Sequence, residues 1–202
     1  MGILENELHD ACKEGDLKLV KSLLKKDINL NEGDFHGRAP LIIACSHGHT
    51  EIVRVLLEDS RIDVNQSDEH GRTAFYFACW IGRADVVQLL LKNPKVDVNQ
   101  PDTNYNWTPL IQASYWGYLD VVQNILASDK KVKVDATNKQ GKMAHHFASD
   151  WKRTKIVNLL NSYSSNPRET RFQLRMELGL SSKIFFFFFF KKTLFCLLLL
   201  PN

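Results

Sequence analysis

The chain has 202 residues, 44% hydrophobic and 24% charged, the make-up of an ordinary globular protein with enough length for one domain and its own core. Its formal charge of +3 is unevenly placed: residues 1–166 hold 20 basic against 21 acidic side chains, and residues 167–202 hold six against two. The bulk of the chain is therefore almost neutral, which excludes a basic surface tracking nucleic-acid phosphates and takes nucleic acid off the list of expected partners.

The N-terminal stretch MGILENELHDAC carries acids where a secretory leader needs a basic region, and no apolar run follows it. The expected address is cytoplasmic, with the nucleus as the alternative. Downstream, ELHDACKEGDLKLVKSLLKKDINLNEGD is a shortened first copy of a pattern that recurs. The segment HGRAPLIIACSHGHTEIVRVLLEDSRIDVNQSDE (36–69) realigns with HGRTAFYFACWIGRADVVQLLLKNPKVDVNQPDT (70–103) at a shift of 34. NYNWTPLIQASYWGYLDVVQNILASDKKVKVDATNK (104–139) follows with a slightly longer loop, and QGKMAHHFASDWKRTKIVNLLNS begins a further copy at residue 140. Ala11, Ala44, Ala78, Ala113 and Ala148 keep register through all five. Each unit predicts a turn, a short helix, a reversal at glycine (Gly15, Gly48, Gly82, Gly117), a second apolar-faced helix and an extended Asp-Val-Asn segment.

The stretches APLIIA (39–44), TAFYFA (73–78), TPLIQA (108–113) and MAHHFA (143–148) resemble the T-P-L-H-x-A signature of ankyrin repeats, whose unit is ~33 residues. The resemblance runs from residue 4 to about residue 162. It implies an all-α solenoid of helix-turn-helix units joined by extended turns, over residues 1–166. Thr73 and Thr108 suit the N-cap and Pro40 and Pro109 the first helical position, while Ala39 and Met143 lack a capping oxygen. Lys152 stands where the reversal calls for glycine. A single unit cannot bury its apolar face alone, so the stack itself is the folding domain.

Cys12, Cys45 and Cys79 each follow a marker alanine, which puts them in equivalent places of successive units. Helices packed ~8–10 Å apart hold such residues beyond the ~7 Å reach of a disulfide, so these are small buried side chains. His145 and His146 resemble a metal pair, but neighbours on a helix point about 100° apart and no third ligand recurs nearby. No nucleophile with its base and no phosphate-cradling loop occurs, so neither catalysis nor a cofactor or metal is expected.

In ankyrin proteins the partner lies against the turn tips and the inner face of the first helices. Carried onto this chain, those positions are Phe35, His36, Arg38, Ser46 and His47, then Glu69, His70, Arg72, Trp80 and Ile81. The third unit adds Asn104, Tyr105, Trp107, Tyr115 and Trp116, and the fourth Lys139, Gln140, Lys142, Asp150 and Trp151. All four tryptophans fall on this surface, which reads as a binding face for another protein; the same rings also suit lateral packing between first helices. Trp107, at a turn tip, is expected to stand clear of the scaffold. A monomer is expected. Asn65 and Asn99, each eight residues after a leucine (Leu57, Leu91), resemble ankyrin asparagines that a hydroxylase modifies, although a turn role explains them equally.

Asn166-Pro167-Arg168-Glu169 has the form of a helix start and Gly179 of a stop, so residues 167–179 are expected to form a capping helix that covers the last unit with Phe172, Met176 and Leu178. Residues 180–202 abandon the pattern. Their Phe, Lys and Leu runs are also what T-rich and A-rich DNA gives when translated, as at a misplaced exon boundary. Read physically, Ile184–Leu200 has 17 residues, 13 of them Phe, Leu or Ile, with Lys191 and Lys192 near the middle. That is close to break-even for insertion into a bilayer, so a membrane contact is not expected; a membrane-tethered adaptor is the alternative.

Overall fold

The computed structural model describes residues 2–180. Eleven helices are present among them: α1 (Ile3–Glu14), α2 (Leu17–Leu23), α3 (Pro40–His47), α4 (Thr50–Glu58), α5 (Ala74–Ile81), α6 (Ala84–Leu91), α7 (Pro109–Trp116), α8 (Leu119–Ala127), α9 (Ala144–Asp150), α10 (Thr154–Ser165) and α11 (Pro167–Glu177). They pair into five helix-turn-helix units, with α1, α3, α5, α7 and α9 stacked side by side and the second helices α2 to α10 forming a layer behind them. The only ladder pairing among the described residues is an isolated bridge from Ser67 to Thr73. The protein is an all-α solenoid.

Small residues let the first helices approach. Ala11, Ala44, Ala78, Ala113 and Ala148 are almost wholly enclosed, and Cys12, Cys45 and Cys79 beside them are buried free thiols. Burial pushes the Cys12 thiol up to about 12 and raises those of Cys45 and Cys79 well above the usual thiol range, so all three stay protonated and unreactive. Ser114 occupies the same place in α7, and its hydroxyl is enclosed without a partner.

The extended segments join one unit to the next through side-chain amides. Asn31 donates to the Arg61 carbonyl and accepts from the Asp63 N–H; Asn65 does the same with Lys95 and Asp97, and Asn99 with Lys131 and Lys133. These paired bonds span 2.7–2.9 Å and saturate backbone groups that no helix satisfies. The turn role of Asn65 and Asn99 thus has a specific form.

Local caps follow the sequence residue by residue. Thr73 accepts from the Tyr76 N–H and Thr108 from the Ile111 N–H, both at 3.2 Å, whereas Ala39 and Met143 give no side-chain cap. At Met143 the helix start is served differently: the Nδ1 of His146 accepts the Met143 N–H at 3.0 Å. Reversal glycines Gly15, Gly48, Gly82 and Gly117 have φ between 77° and 84°, and Lys152 adopts φ 56° in their place.

At the C-terminal side, α11 turns back at Asn166, whose side chain accepts from the Glu169 N–H, and packs on α8 and α10. It therefore adds a third layer behind the second helices and does not extend the stack of first helices. Its buried residues are Thr170 and Leu174, while Phe172, Met176 and Leu178 are half-buried. Leu174 is the buried anchor beside these three, because α11 reaches back to α8 as well as α10 and turns that side of the helix inward. Arg175 pairs with Asp129 at 2.9 Å and Arg171 donates to the Tyr163 hydroxyl at 2.7 Å, fixing the crossing.

Two substitutions test this account of the local structure. Ala39→Thr supplies the missing cap in a site where Thr73 and Thr108 already show that the side chain fits, and is expected to raise stability by about 1 kcal/mol. Lys152→Gly removes the cost of a left-handed side-chain-bearing residue and is expected to raise it by ~1 kcal/mol. Urea midpoints at unchanged m-value measure both; a fall in either midpoint would show that the register of that unit is misassigned.

Candidate partner-binding face

Each unit after the first presents a loop tip and the outward side of its first helix. The tips are built on one acid or amide. Asp34 accepts from the N–H groups of His36 and Arg38, Asp68 from those of His70 and Arg72, and Asn138 from those of Gln140 and Lys142. Arg38 and Arg72 then pair with the same carboxylates through their guanidinium groups, at 2.7 and 2.6 Å. The Arg38 guanidinium and these N–H groups hold the Asp34 carboxyl below the usual carboxylate range, against the opposing effect of burial. Backbone bonds tie tip to tip: Glu69 N–H to the His36 carbonyl, Thr103 N–H to His70, and Lys139 N–H to Tyr105.

The third tip differs in a way that places an aromatic ring. It is one residue longer, with Asn106 in the left-handed region (φ 58°), and Trp107 stands where the other units carry Arg38, Arg72 and Lys142. Arg72 lies over the rings of Phe77 and Trp80, at 4.9 and 5.4 Å from their centroids. Trp107 lies the same way over Tyr115 and over Phe147 of the next unit, centroids 5.2 and 4.6 Å apart. Its ring is consequently half-buried, which corrects the expectation that it stands clear of the scaffold: the side chain folds down along the helices.

Asp102, with no arginine to pair, is taken up by the scaffold instead. The buried Tyr76 hydroxyl donates to it at 2.8 Å and accepts from the Gln112 amide at 2.6 Å. Burial and the neighbouring Asp102 carboxylate push the Tyr76 hydroxyl well above its usual range, so it remains a proton donor. This three-residue network bridges units two to three, counting from the first unit with a loop tip. The repeat pattern does not announce it: Tyr76 stands in TAFYFA where the T-P-L-H-x-A signature has histidine, and nothing local shows that its hydroxyl meets Asp102.

Aromatic rings continue along the first-helix face. Tyr115 stands at the centre of the cluster, edge-on to Trp116 at 5.2 Å and to Trp151 at 5.4 Å. Trp80 is half-buried against Tyr76 and Phe77. Ile81, Tyr105, Trp116 and Trp151 are exposed by 37%, 65%, 46% and 54%, and they account for most of the large exposed apolar residues among those described. Phe35, at the first tip, is 95% exposed. Glu69 lies between His36 and His70, at 3.4 and 3.6 Å, and Lys142 pairs with Asp150 at 2.8 Å while lying over Phe147. His47 is exposed, its Nδ1 against the Ile43 carbonyl. The structure thus brings Trp107, Tyr115, Trp116 and Trp151 into one cluster, with His70, Trp80 and Ile81 one unit away and His36 and His47 a further unit toward the N-terminal side.

His145 and His146 do not diverge as a helical wheel predicts. Their rings meet with centroids 3.9 Å apart, and His145 is held below the usual histidine range by burial and by its neighbour. Among the described residues no group of three or more His, Cys, Asp or Glu could hold a metal ion, and no helix is long and apolar enough to cross a membrane. The Phe- and Leu-rich segment lies outside the described residues.

A family model of ankyrin repeats, in three copies, matches residues 8–102 and 63–138. The chain belongs to the ankyrin repeat family. Similar stretches occur in the Probable E3 ubiquitin-protein ligase XBOS33 of Oryza sativa subsp. japonica, 41% identical over 56 residues, covering 28% of this chain and 11% of that protein. Human Ankyrin repeat domain-containing protein 7 is 42% identical over 55 residues (26% of this chain, 21% of that one), and human Protein phosphatase 1 regulatory subunit 27 is 42% identical over 50 (25% and 32%). The matched stretch therefore spans a third or less of each of these relatives, and the shared feature is the repeat.

The packing of Trp107 has a measurable consequence. Trp107→Ala removes a ring wedged between two units and is expected to cost about 2 kcal/mol, below the ~3–5 kcal/mol of a fully buried aromatic. Chemical denaturation reads this directly; a change under ~0.5 kcal/mol would return Trp107 to the class of free surface residues.

Proposed function

We propose that the protein is a non-catalytic interaction module that binds another protein along the concave face formed by its loop tips and first helices. One observation carries this reading: the large exposed apolar side chains Ile81, Tyr105, Trp116 and Trp151 gather on one side of three successive units, where folding leaves them uncovered. Tryptophan and tyrosine offer large contact areas at small entropic cost, and a cluster of them at the middle of a face is the usual form of an interface hot spot. The charged tips, with His36, His70 and Arg72, form its polar rim. The chain acts as a monomer in the cytoplasm or nucleus, and its likeness to Protein phosphatase 1 regulatory subunit 27 supports a protein-binding role. The membrane-tethered alternative rests wholly on residues 184–200.

The test places a photo-reactive phenylalanine analogue at Trp116 and, as a control, at Asn158 on the exposed side of α10. Cross-linking of a partner from position 116 and not from 158 is the expected result. With that partner in hand, Trp116→Ala and Trp151→Ala should each weaken binding by about 2 kcal/mol or more, the range of an interface anchor. Cross-linking only from position 158 would move the functional surface to the second-helix layer.

A further inference from the structure

Three residues after each marker alanine the chain places, in order, Glu14, His47, Ile81, Trp116 and Trp151. Because successive first helices pack against one another, this column runs along the stack with one rung per unit. Its last three rungs are apolar and exposed by 37%, 46% and 54%. Packed helices set such rungs roughly 8–10 Å apart. A polyproline II segment has three residues per turn at 3.1 Å each, so it presents the same side about every 9 Å. A β-strand repeats at about 7 Å and falls out of step within two rungs.

Hydrogen bonding separates the remaining choices. The indole N–H groups of Trp116 and Trp151 make no hydrogen bond within the described residues. A polyproline II backbone has free carbonyls to accept from them, whereas the carbonyls of an α-helix are already used.

Charge selects further. Residues 1–69 hold 14 acidic against 8 basic side chains, while residues 70–163 hold 7 acidic against 12 basic. The near-zero total conceals a polarity along the solenoid. The apolar rungs lie in its basic half, with Lys152 and Arg153 directly after Trp151 and with Lys139 and Lys142 on the adjoining tip; Lys142 is shared with Asp150.

We propose that this face binds an extended, acidic polyproline II segment of a partner protein, with one apolar residue in every three seated on Ile81, Trp116 and Trp151. The proposal rests on the reading of this face as a protein-binding surface and adds the conformation, charge and register of what binds. The long-range field of the basic half draws an acidic segment toward the aromatic rungs, and the acidic half turns it away from the N-terminal units.

All four tryptophans lie on or beside this surface, so intrinsic fluorescence of the full chain reports occupancy. Three peptides of equal length are titrated: four Leu-Pro-Glu triplets, four Leu-Pro-Lys triplets, and an acidic amphipathic helix with leucines at helical spacing. The Leu-Pro-Glu peptide is expected to bind at least tenfold more tightly than either of the others and to weaken as salt is raised. Ile81→Ala and Trp151→Ala, checked for native circular dichroism, should each reduce its affinity at least fivefold, and Asn158→Ala should leave it unchanged. Equal or tighter binding of the lysine or helical peptide overturns the inference, as does a Leu-Pro-Glu affinity unaffected by both substitutions. If a partner cross-links from position 116 yet the Leu-Pro-Glu peptide does not bind, this inference fails while the binding face stands; if neither engages the face, both fail.

Discussion

The close approach of successive first helices, set by the column of Ala44, Ala78, Ala113 and Ala148 with Cys45, Cys79 and Ser114 beside it, is the constraint on which the other features of this molecule depend. Larger side chains there would hold neighbouring helices apart. The asparagine amides could then no longer reach the backbone of the following unit, and the tips would lose their tip-to-tip bonds. The same spacing determines how often a surface residue recurs along the stack. Core packing and the geometry of the exposed face are thus two sides of one dimension, and the hydrophobic burial that sets it has no directional preference of its own. The asparagine bonds of Asn31, Asn65 and Asn99 supply the direction, fixing the register at three successive junctions.

A stack of this kind has to stop, and the fourth unit with a loop tip shows how it does. Where α5 presents Phe75, Tyr76 and Cys79, all buried, α9 presents His145, His146 and Ser149, two of them half-buried and the last exposed. The side of α9 away from α7 is polar, so a further unit would gain little apolar burial by packing there. The cap that does exist lies elsewhere: α11 covers the second-helix layer through Leu174 and leaves α9 with its aromatic neighbours open. Stability is added behind the solenoid while the face in front remains uncovered, which is the arrangement a binding surface needs.

Single-residue exchanges between otherwise equivalent units account for the local character of that face. Arginine at two tips pairs with an acid at its own tip, and Arg72 also lies over aromatic rings; Trp107 at the third does the lying-over without the pairing, and Asp102 is released to bind Tyr76. One substitution thereby exchanges a largely buried ion pair for a ring wedged between units and a buried network beneath it. The costs of burying Tyr76, Asp102 and Gln112 are met because each finds a partner within 2.8 Å.

Period, marker alanines and turn glycines were enough to read the all-α solenoid, its five units, the free buried cysteines and the start of α11 from the chain alone, because each depends on contacts between neighbours at a constant spacing. Thr73, Thr108 and Asn166 cap as their positions predict, since a cap is a bond to a residue three places on. What the repeat could not determine is where a long side chain goes when two surfaces compete for it. Trp107 sits at a tip in sequence and against Phe147 in space, Tyr76 passes for an apolar residue until its hydroxyl meets Asp102, and α11 buries Leu174 because it crosses α8 as well as α10. The sequence by itself determined the backbone and its spacing, which are local and periodic. Only the tertiary structure decided which aromatic rings fold down to hold the units together and which stay exposed, because that depends on contacts between residues some 25 to 40 positions apart whose geometry no periodicity encodes.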